Sequence, residues 1–137
     1  MPKPSQKVLL LVGLPGSGKS HEARSLRAEG WYVVDDPDPL TGRDDIAAAL
    51  AAGQNVVIAD THLCRPSNRR KAEAYFCQYP EVELLWTFFE NDVDACRRNI
   101  AYRADGRRVE PTLRRYSQVY SIPVGITPKP VWTAGLK

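Results

Sequence analysis

The sequence predicts an α/β fold, a three-layer sandwich in which a mostly parallel sheet of four to five strands lies between helices. Three observations carry that expectation. Short apolar runs alternate with helix-patterned stretches along the chain, the order that a parallel sheet requires. A glycine-rich turn, "GLPGSGKS" at residues 13–20, directly follows the first apolar run. The chain has 137 residues, 43% of them hydrophobic. That is enough for one sheet with its helices and no second substantial domain, so residues 1–137 read as one unit.

The elements follow in order. "KVLLLVG" is a short apolar run closed by glycine, a buried strand. A helical pattern runs from Gly18 to about Glu29 and stops at Gly30. "WYVVDD" is the second strand and "PDPLTG" a loop. Thr41 is placed to cap an alanine-rich helix from Gly42 to about Ala52, ended by Gly53. "NVVIAD" is the third strand. Ser67 begins a helix through Cys77 that Tyr79-Pro80 ends. "EVELLWTFFE" is a fourth strand whose late apolar run suggests cover on both faces. Asp92 is placed to cap a helix to about Tyr102, "RADGRR" breaks the pattern, and a last helix spans Glu110 to Tyr120. The tail from Pro123 holds three of the eleven prolines, and "KPVWTA" offers a short edge strand.

Composition narrows the function classes. A net charge of +3 suits a phosphorylated ligand without demanding a nucleic acid. No apolar run is long enough to cross a bilayer, and no apolar signal core follows "MPKPSQK". Cys64, Cys77 and Cys96 form no CxxC pair and read as reduced, packed thiols of a cytoplasmic protein; His21 and His62 form no HExxH site.

Gly13, Gly18, Lys19 and Ser20 fit GxxxxGKS, the phosphate loop of P-loop proteins, with a strand before it and a helix after. Gly13, Gly16 and Gly18 let backbone N–H groups approach phosphate oxygens without a Cβ in the way. Pro15 stiffens the turn, and Ser17 completes it. The following helix adds unpaired N–H groups and the positive end of its dipole. Lys19 supplies a cation for the outer phosphates and Ser20 a hydroxyl for Mg²⁺. The expected ligand is a nucleoside triphosphate, ATP, with Mg²⁺.

The chain carries no guanine-reading NKxD stretch, and "DTHL" is not a DxxG switch, which leaves small P-loop kinases. These need an acceptor base, a carboxylate on the magnesium side and an arginine-rich lid. Asp35, with Asp36 and more weakly Asp38, lies past the second strand, where open α/β sheets bind ligands. Asp60 closes the third strand as the magnesium-side carboxylate, with Thr61 beside it. Arg97, Arg98, Arg103, Arg107 and Arg108 form the lid candidates, with Gly106 among them. Against these roles stand a solvated turn, a strand-end cap and a solvated basic face.

The ordered set "LLLVGLPGSGKS", "VVDD", "VVIADTHL", "CRRNIAYR" and "VEPTLRRYSQVY" resembles the kinase domain of polynucleotide 5′-hydroxyl kinases and their small zeta-toxin-like relatives, patchily from Lys7 to Tyr120. The resemblance implies Asp35 as general base on a 5′-hydroxyl, Arg103 on the donor phosphates and Arg98 as a lid partner. Arg69-Arg70 match that family's "RR" helix. Three features depart from the pattern: "PDPLTG" stands where an acceptor-binding arginine is usual, the segment between Asp35 and Asp60 is short, and His62 replaces asparagine. The acceptor is therefore a nucleic acid 5′ end or a smaller nucleoside, sugar or metabolite. A nucleotide-binding module or slow ATPase, and nucleic-acid binding through Arg65, Arg69, Arg70 and Lys71, are the other readings.

Overall fold

The computed structural model describes residues 6–35, 42–103 and 109–134. In chain order these form β1 (Gln6–Val12), α1 (Lys19–Arg27), β2 (Tyr32–Asp35), α2 (Gly42–Ala51), β3 (Val56–Ala59), a 3-10 turn (Thr61–Cys64), α3 (Pro66–Phe76), β4 (Val82–Phe88), α4 (Val93–Arg103) and α5 (Glu110–Val119). The sheet has four strands in the order β2-β3-β1-β4, and every pairing is parallel.

Side-chain alternation along the strands sorts the core into two layers. Val8, Leu10 and Val12 of β1, with Val56 and Ile58 of β3, pack against Ile46, Leu50, Phe76, Leu113 and Tyr116. Leu11, Val57 and Ala59 face the opposite way, onto Ala23 and Phe89, with half-buried Leu26, Trp31 and Val33 at the margin. Leu10 and Leu11 are almost wholly buried, and each such leucine contributes about 1.5–3 kcal/mol. The central position of β1 anchors the loop that follows it.

Three expectations need correction. β4 is an edge strand, so Leu84, Leu85 and Trp86 are only half-buried rather than covered on both faces. "KPVWTA" adds no fifth strand; it contributes one bridge, Phe89 to Lys129. Lys129 N donates to Phe88 O at 2.7 Å and its carbonyl accepts from Glu90 N at 2.9 Å. Pro128 and Pro130 flank it without N–H groups, so the ladder stops there. Cys64 and Cys96 are buried thiols, but Cys77 is exposed at the end of α3.

The 3-10 turn is an element the sequence reading lacked. Asp60 sits in extended backbone and its Oδ1 accepts from His62 N at 2.9 Å, a local cap that tightens the chain before Pro66 opens α3. Asp92 caps α4 as expected, its Oδ1 accepting from Ala95 N at 3.1 Å. Thr41, "PDPLTG" apart from Gly42, Asp36, Asp38, Gly106, Arg107 and Arg108 lie outside the described residues.

Candidate functional site

Strand register brings the candidate residues to one edge of the sheet. Asp35 pairs with Ala59 and Leu11 pairs with Ala59. Asp35, the start of the 13–20 loop and Asp60 therefore all emerge where β2, β1 and β3 end. Ligands of open parallel sheets bind at that edge.

The loop is built by local sterics. Gly16 and Gly18 have φ of 84° and 107°, a region that side-chain-bearing residues rarely enter. A Cβ on Gly16 would lie 2.6 Å from Cys96 O, and one on Gly18 would lie 2.6 Å from Trp132 Cβ. A Cβ on Gly13 would lie 2.5 Å from Ser17 Oγ, a buried hydroxyl with no hydrogen-bond partner among the described residues. Lys19 is 6% exposed; its Nζ donates to Gly13 O at 2.9 Å and Leu14 O at 3.0 Å.

Ser20, next in α1, donates from Oγ to Asp35 Oδ2 at 2.8 Å. This bond ties the helix after the 13–20 loop to the end of β2. Asp60 instead accepts from His62, through N and Nδ1, each at 2.9 Å. The proposed magnesium-side pair of Ser20 and Asp60 is thus not joined directly; Asp35 stands next to Ser20.

A cleft of about 630 Å³ opens over these groups, within the range of small-molecule sites. Pro15, Gly16, Lys19, Ser20 and Asp35 line it, together with Thr61 and His62. Arg103 and the α5 residues Val109, Thr112, Arg115 and Tyr116 complete it. Arg98 is exposed on α4 and does not line the cleft. Of the described lid arginines, only Arg103 reaches it. Arg97 is held away by Glu110, at 2.7 Å, and by Asp94, at 3.1 Å. The Arg97 hydrogen bond holds the Glu110 carboxyl below its ordinary value, with Arg114 assisting.

Sequence reasoning missed the α5 wall and the role of the tail. Thr112, Arg115 and Tyr116 share one helix face by their spacing, but nothing local marks that face until α5 is set against the 3-10 turn. There Tyr116 meets the His62 ring edge-on at 5.9 Å and carries the Arg65 guanidinium 5.4 Å over its face. On the other side of the loop, Trp132 stacks on His21 at 4.3 Å. Trp132 N donates to Ser17 O at 3.1 Å. Asn99, buried in α4, donates from Nδ2 to Gly16 O at 2.8 Å and to Trp132 O, and its Oδ1 accepts from Ala134 N at 2.9 Å. A small recess beside the cleft is lined by Gly16, Gly18, Lys19, Ser20, His21, Arg24, Asn99, Arg103 and Trp132.

Arg69, matched above to a nucleic-acid or kinase motif, is a structural clamp. It is 8% exposed and donates to Leu63 O, Cys64 O and Ser121 O, joining the 3-10 turn to the chain after α5. Burial lowers its pKa from the ordinary arginine value.

No family model matches the chain. It is 27% identical over 121 residues to an uncharacterized protein of Acanthamoeba polyphaga mimivirus, covering 85% of this chain and 88% of that relative. It is 47% identical over 50 residues to a nucleotide-binding protein of Bifidobacterium adolescentis, covering 36% of this chain. A nucleotide-binding protein of Bifidobacterium animalis subsp. lactis is 52% identical over 33 residues. The matched stretches span 16% and 11% of those two relatives. No helix among the described residues is long and apolar enough to cross a membrane.

Proposed function

We propose that the chain binds ATP with Mg²⁺ at residues 13–20 and transfers the γ-phosphoryl group to a hydroxyl acceptor. The observation that carries the reading is the 2.8 Å bond from Ser20 to Asp35. It puts the Asp35 carboxylate beside the 13–20 loop and inside a cleft roomy enough for a second molecule, which supports a role for it as proton acceptor. The bifidobacterial relatives' name, nucleotide-binding protein, supports the donor half of the reading.

The residues at the strand ends fit Mg²⁺. Ser20 offers a hydroxyl and Asp60 a carboxylate, both hard oxygen donors. No group of three or more His, Cys, Asp or Glu residues gathers among the described residues. When bound, the ion offsets negative charge on the phosphates.

The chain's own groups do the rest. Loop N–H groups and the start of α1 hold the polyphosphate. Lys19 exchanges its two carbonyl partners for phosphate oxygens. Asp35 takes the acceptor's hydroxyl proton as the acceptor oxygen bonds to phosphorus; the bond from that phosphorus to the bridging oxygen breaks, and ADP leaves. Arg103 places its guanidinium on the transferring group.

The resemblance to polynucleotide kinases supports a nucleic acid 5′ end as acceptor; nucleosides, sugars and other small hydroxyl compounds are the alternatives. Incubation of the protein with γ-labelled ATP and separate pools of 5′-hydroxyl oligonucleotides, nucleosides and sugars tests the reading. A labelled product in one pool, lost in Asp35→Asn, is expected. Phosphate release with no labelled acceptor favours the second reading, a nucleotide-binding module or slow ATPase, for which the relatives' name also speaks.

A further inference from the structure

Four arginines at the α4–α5 end of the molecule divide into two pairs, while Arg98 is exposed and belongs to neither. Arg97 and Arg114 both bond to Glu110, at 2.7 Å and 3.1 Å, and so have their charge offset outside the cleft. Arg103 and Arg115 line the cleft, and neither makes an ion pair with a described residue. The two differ in position. Arg103 borders both the cleft and the recess between the phosphate loop and Trp132, so it belongs with the donor. Arg115 borders only the cleft, on the α5 face that also presents Thr112 and Tyr116.

The donor's phosphates already have Lys19, Arg103, the loop amides and a metal ion to balance them. A further guanidinium on another wall is in excess of what one triphosphate needs. Guanidinium pairs with phosphate or carboxylate through two parallel hydrogen bonds, and the Thr112 hydroxyl, three residues away on the same face, adds a neutral partner. Among the described residues, Asp35 is the acid that lines this cleft. An acceptor bridging Asp35 and α5 thus presents a hydroxyl at one end and an anion at the other.

We propose that Arg115 binds an anionic group, a phosphate or a carboxylate, carried by the acceptor itself, an inference that rests on the phosphotransferase reading above. The acceptor is then a hydroxyl compound that is already negatively charged.

Binding tests this without requiring turnover. Protein saturated with the non-hydrolysable analogue Mg-AMP-PNP is titrated calorimetrically with matched pairs: adenosine 3′-phosphate against adenosine, and glycerate against glycerol. Wild type is compared with Arg115→Gln and with Arg114→Gln, which removes the same charge from the outer face of the same helix. The expected result is that at least one anionic probe binds wild type about tenfold or more tightly than its neutral partner. Arg115→Gln removes that preference and Arg114→Gln keeps it; the pair that responds separates phosphate from carboxylate. Absence of an anion preference in wild type, its survival in Arg115→Gln, or its equal loss in both variants overturns the inference. Failure of wild type to bind Mg-AMP-PNP is a separate outcome, read in the first titration, and removes the phosphotransferase reading together with this one.

Discussion

Ser20 Oγ lies 2.8 Å from Asp35 Oδ2, joining the first turn of the helix after the 13–20 loop to the last residue of β2. Fifteen residues separate the two in sequence; the β2-β3-β1 order is what brings them together. If Asp35 is the base, Asp35→Asn leaves its shape and removes its proton affinity. Nucleotide affinity should change little, while labelled transfer falls about 10²-fold or more. A variant with wild-type transfer rate would remove Asp35 from the chemistry.

The 13–20 loop tolerates no Cβ at Gly18. Its φ of 107° and the 2.6 Å approach to Trp132 Cβ combine backbone strain with a clash. Gly18→Ala should lose about 1–3 kcal/mol of stability from strain alone and weaken nucleotide binding sharply. Thermal melting and titration with Mg-AMP-PNP check both. Gly53→Ala, also at positive φ (81°) but in open space, should cost stability and leave nucleotide affinity intact.

Asn99 ties α4 to two other segments, the 13–20 loop through Gly16 O and the tail through Trp132 O and Ala134 N. Asn99→Ala leaves these backbone groups short of a partner at about 1–3 kcal/mol. A lower melting temperature and weaker nucleotide affinity are expected together, with a shift in tryptophan emission as Trp132 leaves His21. A stable variant with unchanged emission would mean that the tail is held by other contacts, such as the Lys129–Glu22 ion pair.

The buried thiols set an alkaline limit. Desolvation pushes Cys64 up to about 12 and Cys96 to about 11, from an ordinary value of 9.0, with the Lys19 charge pulling each partly back. Folded thiols thus hold protons that unfolded ones release. Their contribution is complete below about pH 9 and is lost as pH rises toward 11–12. Denaturant titrations from pH 8 to 11 should show falling stability, less steeply in Cys64→Ala at equal starting fold. At neutral pH, iodoacetamide should label exposed Cys77 in the native protein and all three cysteines only after unfolding.

Much of this was legible beforehand for identifiable reasons. The strands were readable because β1 and β3 are buried runs bounded by Gly or Asp, and their placement follows from a parallel sheet. The 13–20 loop was readable because its glycines and Lys19 are spaced by backbone geometry that recurs wherever phosphate is cupped. Asp35, at the end of β2, could be placed at the ligand edge by topology alone. The α5 wall was not legible: Arg114 and Arg115 are adjacent and chemically alike, and only the position of Glu110 decides which is neutralised. Trp132 was equally opaque, because its contact with Gly18 spans most of the chain and no periodicity encodes it. Arg98 and Arg103 were both expected on the lid, Arg103 at the donor phosphates and Arg98 as its partner; the rotation of α4 turns Arg98 to solvent, and Arg103 alone of the two lines the cleft.

The account rests on a triphosphate seated in the 13–20 loop. Calorimetric titration of Mg-ATP into wild type and Lys19→Ala tests that most directly. Saturable one-to-one binding in wild type, weakened about 10²-fold or more in the variant, is the predicted result. No binding to wild type, or equal affinity in the two proteins, would contradict it.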